Sequence, residues 1–125
     1  MKNTIIYVCV FSLLIIFGGI VELRYLTGFS NEMISFIDKI DKYESIDKKT
    51  EEVINLRKKW EKNVKLLSML IDHQDIHKIE SRLVEIEMIL KNNFSSSQIS
   101  TNFALLKLYI KDIAEERRFI LGNIL

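Results

Sequence analysis

Between Asn3 and Val21 the chain carries no charged side chain: NTIIYVCVFSLLIIFGGIV. This run constrains the fold more than any other feature, because so apolar a segment has few places to go. At ~1.5 Å per residue, the 17 residues from Ile5 to Val21 cover roughly 25 Å, close to the shortest helix that crosses a bilayer. Inside lipid no water satisfies the backbone N–H and C=O groups, so such a segment must be helical. Arg24 and Tyr25 follow at the depth where such side chains anchor in the interface. The expectation is a span touching lipid through residues 3–21, within an anchor and juxtamembrane segment of residues 1–25.

A cleaved secretory signal is the competing reading, since "MKNT" and the apolar stretch would suit it. Its cleavage site needs small residues at two spaced positions, and "IFGGIVEL" offers only the adjacent Gly18 and Gly19. Cys9 lies too early for lipid attachment. An uncleaved anchor is favoured over the signal, and over a buried soluble helix. Lys2 and the free amine lie on one side of the run, while Glu22 and Arg24 roughly cancel on the other. The positive-inside tendency then puts the N-terminus in the cytoplasm and the remaining chain outside, as a single-pass protein of the cell membrane.

Beyond the run, apolar residues recur three and four positions apart, which is amphipathic helix spacing. Met33, Phe36, Ile37, Ile40 and Tyr43 form one stripe. Val53, Leu56, Trp60, Val64, Leu67 and Leu70 form the next. Ile76, Ile79, Leu83, Ile86 and Leu90 follow, and then Ile99, Phe103, Leu106, Ile110, Ile113 and Ile120. Proline is absent and glycine occurs only four times, at 18, 19, 28 and 122, which argues against a turn-rich sheet protein. The gaps hold boundary residues: Ser30 before the first stripe, Ser45, Asp47 and Thr50 before the second, Asp72 and Asp75 before the third. "NNFSSS" separates the third from the fourth, and Gly122 sits at the end of the fourth. The connections are short, which favours antiparallel neighbours. The predicted fold is all-α: a transmembrane helix, then an antiparallel bundle of about four helices across residues 26–125. "FILGNIL" would then come back to the membrane-proximal base.

Charge and cysteine usage narrow the function classes. From residue 22 onward, 17 basic side chains face 17 acidic ones, a poor arrangement for binding a polyanion, so no nucleic-acid partner is expected. In "RKKWEK", Trp60 falls on the apolar stripe while the lysines fall off it, which describes a solvated helix face. "EERR" at 115–118 reads the same way. Cys9 is the only cysteine, so the remaining chain forms neither an internal disulfide nor a cysteine-based zinc site.

"IDHQDIHKIE" is the segment with most chemistry. His73 and His77 stand four apart, and Glu80 continues their face if all three are helical. These are the weak metal-ligand candidates. A hydrolytic zinc helix places glutamate directly after the first histidine, where this chain has Gln74, and a third protein ligand is not identifiable. The simpler reading makes Asp72 and Asp75 helix-start residues, favoured where backbone N–H groups lack partners. A helix beginning near Asp75 would leave His73 in the loop. A pH-sensitive turn is a further alternative. No phosphate loop, nucleophile elbow or paired-carboxylate pattern stands out, so no catalytic or cofactor-binding residue, no cofactor and no enzymatic activity are expected.

The central "KKWEKNVKLLSMLIDHQDIHKIESRL", the leading apolar run and a closing helix ending near "NIL" resemble a clostridial-type family filed as a domain of unknown function, DUF4363-like. The resemblance covers nearly the whole chain. It implies a small membrane-anchored helical protein of an anaerobic Gram-positive bacterium, and points toward envelope or sporulation biology. It brings no catalytic residues. Together these readings favour a structural or protein-interaction role at the bacterial envelope, through an unknown envelope protein partner and with self-association open. The alternative is a small-ligand or metal sensor using the His73/His77 region or an inter-helix cleft. A hydrolase accessory domain ranks last.

Overall fold

The structure is a computed structural model, and it describes residues 1–92 and 95–124. It contains four helices: α1 (Lys2–Asp41), α2 (Ile46–Leu70), α3 (His73–Lys91) and α4 (Ser96–Ile124). No strand occurs among the described residues. Asn93, Phe94 and Leu125, which belong to the expected "NNFSSS" boundary and the closing "NIL", lie outside them.

The span and the first bundle helix are one element. α1 runs unbroken for 40 residues, roughly 60 Å. Ser30, expected to cap a separate helix, lies inside it. The reason is local: Leu26, Phe29 and Met33 continue the apolar spacing back toward the run, and all three are buried. Gly28 costs only about 1 kcal/mol in a helix interior, which is not enough to break it. Ser30 is buried too, and its hydroxyl donates to the Ile110 carbonyl of α4 at 3.2 Å.

At the other starts the boundary chemistry does occur. Ser45 caps α2, its Oγ accepting from the Lys48 N–H at 3.3 Å, and Asp47 sits in the first turn. Asp72 caps α3 by accepting from the Gln74 N–H at 3.1 Å. Ser95 supplies the carbonyl that takes the first helical bond of α4, from Ile99 at 3.3 Å. Gly122, expected to close α4, lies within its last turn instead.

The helices alternate in direction and pack as a ring: α1 against α2 and α4, and α3 against α2 and α4. α1 and α4 share the most extensive interface. The core is the stripes facing one another. Met33, Ile37, Ile40, Val53, Leu56, Trp60, Leu67, Ile79, Ile86, Phe103, Leu106 and Ile110 are all buried. Each such side chain contributes on the order of 2 kcal/mol when removed from water, which isolated helices of this length need. Ile120 departs from its stripe. It is 43% exposed, because α4 runs past the end of the packed core.

A polar link crosses each interface and sets the register. Lys59 meets Glu32 at 2.9 Å between α2 and α1, and Lys107 meets Asp38 at 2.6 Å between α4 and α1. Arg82 donates to Asn102 Oδ1 at 2.9 Å between α3 and α4. Arg57 Nε approaches Glu87 Oε1 to 2.7 Å between α2 and α3, an ion pair whose N–H points off the line to the oxygen.

Candidate functional site

The histidine turn is helical from its first residue. Because Asp72 caps α3, His73 is the first helical residue, and a start near Asp75 is ruled out. His73 and His77 therefore do share a face, with Glu80 one turn further on. Both imidazoles are exposed and Glu80 is half-buried. Among the described residues no group of three or more His, Cys, Asp or Glu side chains converges to hold a metal ion. The face continues outward as His77, Ser81, Val84 and Met88, with Val84 and Met88 open to solvent.

Residues near this turn gather at one end of the bundle. α2 ends at Leu70 with no basic side chain in its last turn. Its terminal carbonyls therefore lack the cation that a helix C-terminus favours. Arg117 of α4 supplies one. Its guanidinium donates to the Leu70 carbonyl and lies 3.7 Å from Glu22 of α1. One side chain thus ties α1, α2 and α4 together at the level of Glu22, the first acidic residue after the apolar run. Leu70, Ile71, Ile113 and Ile120 line a cleft of about 170 Å³ beside it.

Next to Arg117, Glu116 faces an acidic neighbourhood. The negative charge of Asp75 on α3 raises its pKa above the usual carboxylate range. A slight loss of hydration, a hydrogen bond to Asp75, and the charges of Asp72 and Asp112 push the same way. Asp75 and Glu116 belong to different helices, and no sequence spacing brings them together.

Past Arg117, α4 runs beside the uncharged part of α1. A Cβ placed on Gly19 would stand 2.9 Å from a Leu121 methyl, so the two helices lie close to each other here. Phe119 is 71% exposed at this end of α4, and Met69 is exposed at the matching end of α2. In α1 itself the side chains from Ile5 to Phe17 are exposed throughout, although the segment is almost entirely apolar. This helix is long and apolar enough to span a membrane.

A second opening lies higher up, where α1 and α2 pack least closely. It is a groove of about 550 Å³ lined by Asn31, Glu32, Ser35, Phe36, Lys39 and Glu52, with Lys59 reaching across to Glu32. Its walls carry both charge signs and a single aromatic ring.

A family model described as a domain of unknown function (DUF4363) matches residues 20–124. No curated protein and no solved structure matches the chain.

Proposed function

The chain belongs to that family, and from this premise we propose that it is a membrane-anchored, non-enzymatic bundle that works through protein contacts at the bacterial cell envelope. The observation that carries the reading is the continuity of α1. A run of exposed apolar side chains and the core-forming stripe from Leu26 to Ile40 belong to one unbroken helix. Water-exposed apolar surface of that extent is unfavourable, and lipid removes the cost. In this reading residues 3–21 span the cell membrane, Lys2 stays on the cytoplasmic side, and the bundle faces outward. A Gram-positive envelope as its setting rests on the family resemblance of the central block.

Two measurements test the anchor and its orientation. The intact protein should resist alkaline carbonate extraction from membranes, and protease added outside intact protoplasts should digest the bundle. Recovery in the soluble fraction defeats the anchor, and protection of the bundle defeats the orientation. The partner reading is tested by crosslinking in the native membrane. A reproducible protein adduct that is lost when Val84 and Met88 become glutamates supports contact through the outer face of α3.

The groove between α1 and α2 favours a second reading, a sensor for a small ligand carrying both charge signs. A ligand that binds only the folded state raises the melting temperature, by an amount that grows with the logarithm of its concentration over Kd. A screen of zwitterionic metabolites in which no compound raises the melting temperature, or in which Phe36→Ala leaves the rise unchanged, defeats it.

A further inference from the structure

We propose that the last turns of α4, through Phe119, Ile120 and Leu121, insert into the lipid beside the exit of the apolar run, so that the bundle is seated on the membrane at two points. This deepens the anchor reading and rests on it.

Depth is set by the Glu22–Arg117 pair, whose charged atoms lie 3.7 Å apart. Glu22 is the first charged residue after the run, so it marks where the lipid-exposed part of α1 gives way to polar surroundings. α4 does not stop at that level. Leu121 is four residues beyond Arg117, about 6 Å further along the axis. It meets α1 at Gly19, inside the uncharged run. From Phe119 through Asn123 the chain carries no charge; Phe119 is exposed, and Ile120 is partly exposed at the rim of the cleft beside Leu70. A soluble bundle gains nothing by extending a helix past its core to expose phenylalanine and isoleucine there. A helix whose tip lies below the level of its last charges does gain, because an apolar tip beside a lipid-exposed helix loses contact with water.

The geometry favours lipid over a second protein copy. Phe119 lies exposed past Arg117, and Leu121 two residues on meets Gly19 within the uncharged run, on the lipid side of Glu22. At Gly19 the approach is close: a Cβ there would meet the end of the Leu121 side chain, which can turn aside at little cost.

The sole cysteine makes the test direct. A nitroxide is attached to native Cys9 in the span. In a Cys9→Ser background it is attached instead to Phe119→Cys or to Met88→Cys, both at exposed positions that leave the core intact. The full chain is reconstituted in vesicles of phosphatidylcholine and phosphatidylglycerol, and collisions with oxygen and with a water-soluble nickel chelate are compared. The expected result is oxygen-dominated relaxation at Cys9 and at position 119, against nickel-dominated relaxation at position 88. Nickel-dominated relaxation at 119, with Cys9 still in lipid, overturns the insertion and leaves the anchor standing. Protection of 119 from both reagents means that protein covers the tip, which also overturns it. A nickel-accessible Cys9 overturns the anchor and the insertion together.

Discussion

The hydroxyl of Ser30 reaches across from α1 to donate to the backbone carbonyl of Ile110 on α4, 3.2 Å away and shielded from water. It is a buried polar contact within the most extensive helix pair of the bundle, and it fixes how far α4 is shifted along α1. Ser30→Ala should therefore destabilise the bundle by about 1 kcal/mol, the usual net value of such a bond. Ser30→Val should cost more, since it adds bulk to a packed seam. Urea unfolding in mild detergent, followed by far-ultraviolet circular dichroism, measures both.

Trp60 is 1% exposed and lies against Phe29, yet its indole N–H has no partner among the described residues. Trp60→Ala should cost roughly 3–5 kcal/mol through the cavity it leaves. Trp60→Phe should cost less than half as much, because losing volume is offset by losing an unsatisfied donor. Equal losses for the two variants would show that the N–H finds a partner in solution.

Arg117 joins three helices at the base. Arg117→Met keeps the apolar stem but removes the donors, and should weaken the end of α2 by about 1 kcal/mol. Hydrogen exchange should speed up around Leu70–Asp72 while the middle of the core stays protected. Arg117→Lys should restore the charge without the forked geometry, and so recover only part of the protection.

Glu116 makes stability depend on pH in a definite direction. Its pKa is raised in the folded chain, chiefly by Asp75, so the folded state holds this proton more tightly than the unfolded state. The stabilising contribution is complete below the ordinary glutamate value and is lost as pH rises through the raised one. Glu116→Gln should therefore leave stability nearly unchanged in acid, increase it at neutral pH, and flatten the curve between. Thermal melts across that range check the sign. The group is largely exposed, so the effect should shrink at high salt.

His73 and His77 share a face, and among the described residues no third ligand converges on them. Zinc and nickel should bind the double variant His73→Ala/His77→Ala about as weakly as the unaltered chain, as read by isothermal titration. A tenfold loss in the double variant would establish a site there.

The lateral packing was legible because it follows from side-chain periodicity. The residues at 76, 79, 83, 86 and 90 turn inward together because one helical face must be buried, and Trp60 was visible as a stripe residue amid lysines. Ser30 misled for a reason that can be named. A serine before an apolar stripe satisfies a cap as well as it satisfies a buried cross-helix bond, and only the position of Ile110 decides between them. The helix start at His73 depended on which of two aspartates takes the cap, and both suit the role. Arg117, Glu116 and Gly19 were not legible as a group. Their partners Leu70, Asp75 and Leu121 are distant in sequence, and helix spacing predicts neighbours within an element, not between elements.

α1 has no proline, no bulge and no interruption from Lys2 to Asp41. A helix of that kind behaves as a stiff rod. A push or twist applied to the far end of the bundle has no hinge in which to dissipate before it reaches the apolar run. In the proposed orientation, whatever grips the module outside therefore also holds a handle on the far side of the bilayer.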